Sequence, residues 1–100
     1  MKVLFICNQN LHRSKTAEEL FKDRFQSKSA GLFNEHPVTE KQLSWADTIV
    51  VMEEEMRLEL AKRFPGKIMQ KRVISFDIPD TFCYNQPELV QMLKEKAGLL

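Results

Sequence analysis

The residues Val3-Leu4-Phe5-Ile6 run straight into Cys7-Asn8-Gln9-Asn10-Leu11-His12-Arg13-Ser14, and a helix-like stretch follows at once. An apolar run of this kind is the pattern of a strand buried on both faces of a parallel sheet. A strand that ends in a tight loop and feeds a helix aims several backbone N–H groups at one point, where the helix dipole adds positive potential. Such a point suits a tetrahedral oxyanion. Cys7 opens the loop and Arg13 closes it. The converging amides and the guanidinium would draw a thiol there toward its thiolate form. Arg13 would clamp two oxygens of a phosphoryl group, which its planar fork suits better than a lysine's point charge. The segment reads as a phosphate cradle with a nucleophile in it.

The rest of the chain alternates in the same way. Thr48 to Met52 is a second continuous apolar run, Arg72-Val73-Ile74-Ser75-Phe76 a third candidate strand, and Lys28-Ser29-Ala30 a short fourth. Ala17, Leu20, Phe21 and Phe25 recur on one helical face after Ser14, as Met56, Leu60, Ala61 and Phe64 do after Met52. The second of these helices gains i,i+4 pairs from Glu53 with Arg57 and Glu59 with Arg63, and should stop at Pro65-Gly66. Thr39 with Gln42 forms a capping box and Val38 with Leu43 a hydrophobic staple, so a short helix should begin there. Leu89, Met92, Leu93 and Ala97 mark a last helix whose first turn suits Pro87 and Glu88. Strands and helices in this alternation predict a parallel sheet with helices on both faces, and ligands of such sheets bind beyond the carboxyl ends of the strands. Cys7, Glu53 and the segment from Asp77 to Asp80 all follow strand ends, so they should gather on one rim.

One hundred residues with 43% apolar content suffice for one domain, spanning 1–100. A formal charge of +1 gives no field that would favour nucleic acid or an anionic membrane, so neither is expected as a partner. No apolar run approaches the ~20 residues of a membrane span, and the N-terminal run is too short for a signal-peptide core. A cytoplasmic location is the expectation. The two cysteines lack metal-ligand spacing and read as reduced thiols.

A cysteine, five residues, an arginine and a serine, close to the N-terminus after a first strand, resemble the signature of the low-molecular-weight protein tyrosine phosphatases. Further along, Ser29-Ala30-Gly31 is similar to that family's second strand and turn, and Trp45-Ala46-Asp47-Thr48-Ile49-Val50-Val51-Met52-Glu53 to its third strand and the helix start beyond. Ile78-Pro79-Asp80-Thr81-Phe82 is similar to the Pro-Asp-Pro-aromatic segment that carries the family's general acid. The resemblance implies four parallel strands in the order 2-1-3-4, helices on both faces and a phosphatase P-loop after strand 1. It implies hydrolysis of phosphate monoesters, phosphotyrosine in a protein foremost, with inorganic phosphate as product and no cofactor or metal. Cys7 would be the nucleophile, Arg13 the clamp and Asp80 the acid. Asn8, Gln9, Asn10, Leu11, His12 and Ser14 would surround the phosphoryl group. Phe33, Phe82 and Tyr84 fall, from their own positions, on expected rim loops and could wall a slot for a flat ring, although loop aromatics often pin a loop to the core instead. The chain departs from the family pattern at Gln9, where glycine is usual, at His12, usually a second cysteine, at Lys15 and Thr81, usually proline, and in its short second half.

Each residue also has a plainer reading. Asn10 suits a left-handed turn position, Ser14 a helix N-cap, Asp80 a turn after Pro79, and His12 and His36 solvated or turn positions. Asp77, three positions before Asp80, competes for the role of acid. Glu53, Glu54 and Glu55 fit a helix first turn favoured by the dipole. Two other functions stand beside the phosphatase: a non-catalytic phosphate-binding regulatory module, and an arsenate reductase on the same fold. The latter passes oxidation outward through further cysteines, and here only Cys83 is present for that.

Overall fold

The computed structural model describes residues 1–100. The first apolar run is β1 (Lys2–Cys7), whose Val3, Leu4, Phe5 and Ile6 are wholly buried. It pairs in parallel with β2 (Gln26–Gly31) on one side and β3 (Thr48–Val51) on the other, and β4 (Arg72–Ser75) completes the order β2-β1-β3-β4. This is the order expected. Burial explains it: β1 and β3 are apolar without interruption and take the inside, whereas β2, with Ser27, Lys28 and Ser29, and β4, which opens on Arg72, tolerate the edges.

Five helices cover the sheet. They are α1 (Arg13–Leu20), α2 (Glu40–Trp45), α3 (Glu54–Arg63), α4 (Pro65–Met69) and α5 (Pro87–Lys96), followed by a 3-10 turn at Ala97–Leu99. The first and last pack together on one face and the middle three group on the other. The α2 start has both halves of its capping box: Gln42 N–H donates to Thr39 Oγ1 at 3.2 Å and Thr39 N–H to Gln42 Oε1 at 2.9 Å. Pro87 and Glu88 occupy the first turn of α5 as expected. The third helix stops at Arg63, yet Pro65 then opens the short α4, which the pattern did not suggest; proline costs nothing at a first helical position because its missing N–H would have had no partner. The first helix is shorter than its apolar spacing indicates. Phe25 falls beyond its end but still reaches the core, with its ring 6.0 Å from Phe21, which stacks on Phe5 at 5.8 Å.

Glu59 pairs with Arg63 as its i,i+4 spacing indicates, at 2.6 Å. Arg57 does not pair with Glu53. It pairs with Glu54 at 2.6 Å, because the Glu53 carboxylate is turned toward β1's loop instead.

Register decides where the chemistry lies. Cys7 stands opposite Gly31, Ile6 opposite Val51, and Val51 opposite Ser75. The strands therefore end level, and the segments that follow Cys7, Val51 and Ser75 leave the sheet side by side on its carboxyl rim. No helix is long and apolar enough to cross a membrane.

Candidate active site

The loop after β1 is held from outside and open inside. The Cys7 and Asn8 carbonyls both accept from Leu32 N–H, at 3.1 and 3.0 Å, and Asn8 also accepts from Phe33 N–H at 2.8 Å, which ties the loop to the turn after β2. The N–H groups from Asn8 to His12, in contrast, donate no hydrogen bond within the protein. Consecutive backbone donors left unpaired at a helix start form an anion site. Asn10 makes the bend with φ of 56°, a left-handed position that asparagine accepts more readily than most residues. Gln9 is not in that region, so a side chain is tolerated where the family usually has glycine.

Cys7 lies at the floor of this loop, almost fully buried, with its Sγ 2.9 Å from Ser14 Oγ. The Ser14 hydroxyl donates to Asn10 Oδ1 at 2.6 Å. Asn10 thus serves both as bend and as brace. Ser14 does not cap the helix; it is the second residue of α1, and His12 occupies the cap position without a side-chain bond. A single hydroxyl proton cannot serve both neighbours. While Cys7 is a thiol, Ser14 accepts from it; once Cys7 is a thiolate, the proton is needed on sulfur and the Asn10 amide can donate in its place.

Arg13 is buried, although it carries the charge on which the site depends. Its Nη1 donates to Glu53 Oε1 at 2.6 Å and to the Ile78 carbonyl at 2.7 Å, while its Nε lies 3.7 Å from Asp80 Oδ1. Cys7, Gln9, Leu11, His12, Arg13 and Asp80 together line one cleft of about 140 Å³. Asp80 reaches it from a segment pinned on both sides. Before it, Ile78 N–H donates to the Met52 carbonyl at 2.8 Å; after it, Asn85 N–H donates to Thr16 Oγ1 at 2.8 Å. Asp77 takes another course. It adopts φ of 54° at the end of β4, accepts from Ser75 Oγ at 2.8 Å and borders a neighbouring acidic recess with Glu53, Glu54, Glu55 and Pro79. No three His, Cys, Asp or Glu side chains are gathered closely enough to hold a metal ion.

The expected aromatic slot is not what the structure builds, since none of its three rings lines the cleft with Cys7. Phe33 is exposed and lies under the Arg63 guanidinium at 4.9 Å. Phe82 is drawn against the hydrophobic core, and Tyr84 is half exposed. Burial competes for such rings, and two of the three gain more from apolar or cationic neighbours than from the rim. The apolar wall is Leu11, 59% exposed within the loop itself. The sequence reading missed the bond of Glu53 to Arg13. Its position just past the end of the third strand, one residue beyond the level of Cys7, was the available signal. Both cysteines are free, Cys7 buried and Cys83 exposed.

A thiol under unpaired amides, an arginine across the loop and a carboxylate at its mouth, all on the carboxyl rim of a parallel sheet, define a cysteine-dependent phosphatase. The sequence profile of the low molecular weight phosphotyrosine protein phosphatases matches residues 2–78, and the chain belongs to that family. Asp80 lies just beyond the matched span. No curated protein matches it in sequence. Among solved structures it is similar to a YwlE arginine phosphatase variant with a phosphorylated active-site serine, with a TM-score of 0.78, 22% identity and coverage of 100% of this chain and 95% of that one. The low molecular weight protein tyrosine phosphatase of T. tengcongensis gives 0.77 and 21%, covering 99% and 94%. The tyrosine phosphatase Wzb of Escherichia coli K30, in complex with phosphate, gives 0.75 and 21%, covering 94% and 91%. At these identities the likeness establishes the fold.

Proposed function

We propose that the protein hydrolyses phosphate monoesters, phosphotyrosine foremost, through a phosphocysteine on Cys7. The observation that carries this reading is the set of unpaired N–H groups from Asn8 to His12 in the loop that begins at Cys7, whose cleft Cys7 and Arg13 both line. Cys7 attacks phosphorus and the bond from phosphorus to the leaving oxygen breaks, while Asp80 gives that oxygen its proton. The loop amides and Arg13 hold the three equatorial oxygens, whose charge they meet without reorganising. Water then attacks the phosphocysteine, Asp80 takes its proton, sulfur leaves as thiolate stabilised by Ser14, and inorganic phosphate departs. The phosphorylated active-site serine of the YwlE variant supports a covalent intermediate.

Leu11 on the cleft wall favours an aromatic leaving group, since an exposed apolar side chain gains by covering a ring. A second reading, phosphoarginine, is favoured by the acidic recess of Glu53, Glu54, Glu55 and Asp77, which would face a guanidinium. Peptides carrying phosphotyrosine, phosphoarginine or phosphoserine, each assayed with a chelator present, decide between them. Preference for phosphotyrosine, with one phosphoryl group trapped on the Cys7 peptide by rapid acid quench, is the expected result. Phosphate binding with no turnover of any of the three would make the chain a binding module.

A further inference from the structure

Arg13 has to bind an anion while it is buried beside two carboxylates, and the geometry of its donors divides these tasks. Nη1 has two protons and both are used within the protein, one on Glu53 Oε1 at 2.6 Å and one on the Ile78 carbonyl at 2.7 Å. These are the guanidinium's only hydrogen bonds; Nε, although buried, donates to nothing. One corner of the fork is fastened. The edge formed by Nε and Nη2 is left to the cleft, and a side-on edge of this kind is what a bidentate arginine offers to two oxygens of one phosphoryl group.

Glu53 gives up two local uses to make this contact. It is the N-cap residue of α3, yet its side chain makes no capping bond, although polar caps ordinarily turn back onto the first N–H groups. It also stands four residues before Arg57, which pairs with Glu54 instead. Its carboxylate is about one-third exposed and reaches across the rim to a guanidinium that is itself 1% exposed.

We propose that Glu53 is a positioning residue for phosphoryl transfer: it fastens Nη1 so that the Nε–Nη2 edge of Arg13 meets the phosphoryl oxygens, and its charge keeps the product anion releasable. The inference rests on the reading that Arg13 receives the phosphoryl group. Without Glu53 only the Ile78 carbonyl holds Nη1, and the edge offered to the substrate is no longer fixed from two sides. Without the negative charge, the same loop holds a dianion more tightly.

The test uses the full chain, p-nitrophenyl phosphate as substrate and inorganic phosphate as competing ligand. Glu53→Ala removes anchor and charge together, and kcat is expected to fall by about 10²-fold, the cost of a catalytic group misplaced by roughly an ångström. Glu53→Gln keeps an oxygen for Nη1 and removes the charge; kcat is expected to stay within about tenfold of wild type while phosphate inhibits at a concentration several-fold lower. Glu95→Gln, an exposed carboxylate on α5 that lines neither the cleft nor the acidic recess, leaves both constants unchanged. A merely structural Glu53 would not tighten phosphate binding. The inference is overturned if Glu53→Ala keeps wild-type kcat, or if Glu53→Gln loses as much turnover as alanine and binds phosphate no better. Should the alanine variant fail to fold, the glutamine variant decides through those same two constants. A wild-type protein that neither turns over the substrate nor binds phosphate overturns the reading of Arg13 and this inference with it; an active wild type with an unaffected Glu53→Ala overturns this inference alone.

Discussion

Arg13 Nη1 lies 2.7 Å from the carbonyl oxygen of Ile78, so the side chain that closes the phosphate loop also holds the segment that delivers Asp80 two residues later. Clamp and acid are thereby coupled. The backbone bond from Ile78 N–H to Met52 fixes the same point to the end of β3, directly before Glu53. The segments after three strands, carrying Arg13, Glu53 and Ile78, meet at one guanidinium.

Cys7 should be the more reactive of the two thiols. Iodoacetamide should label it faster than the exposed Cys83, because the loop sets it under unpaired amides beside Arg13, and phosphate should protect it. Peptide mass analysis after timed labelling reads both rates. Equal labelling of the two thiols, or no protection by phosphate, would show that the loop does not activate sulfur.

Asp80→Asn should slow turnover of phosphotyrosine or phenyl phosphate by about 10²- to 10⁴-fold and that of p-nitrophenyl phosphate by less, since nitrophenolate leaves without a proton. Asp77→Asn should behave like wild type in turnover, because its carboxylate is engaged with Ser75. Phosphate binding should survive in both variants. If the leaving-group dependence follows Asp77 instead, the acid has been assigned three residues too late.

Ser14→Ala removes the hydroxyl 2.9 Å from Cys7 Sγ, which in the second step stabilises sulfur as the leaving group. Phosphoenzyme should accumulate, giving a burst of nitrophenol followed by a steady rate lower by about tenfold or more. Stopped-flow traces without a burst, at unchanged steady rate, would remove Ser14 from the second step.

Glu88 supplies a pH test that is independent of catalysis. Its carboxylate is held below its usual range by the backbone N–H at the start of α5 and by Gln86. A carboxylate with a depressed folded-state value stabilises the protein above its unfolded value and loses that contribution as pH falls through the folded one. Thermal melts should therefore show Glu88→Gln less stable than wild type at pH 7, with the difference shrinking in acid. A difference that is constant across that range would assign the effect to packing alone.

Much of this protein was legible before any coordinates. The strands, the loop between Cys7 and Arg13, the capping box of Thr39 and Gln42 and the start of α5 at Pro87 rest on spacing within a few residues, and local rules of sterics and hydrogen bonding act over that range. The strand order was implied by the family resemblance, and burial suits it, since the two uninterrupted apolar runs take the inside. Tertiary structure decided what depends on partners far apart in the chain. Glu53 meets Arg13 across forty positions, and no local period encodes that meeting. Phe33 and Phe82, assigned to the cleft by their place on loops, were claimed by Arg63 and by the core, because an aromatic ring goes where it buries most area or finds a cation. Asp80 and Asp77 are equally acidic in sequence and differ only in what surrounds them: one faces Arg13 across a cleft, the other is tied to its own strand end. Residue type and local spacing set which groups could act, and the level ends of four strands set which of them come together.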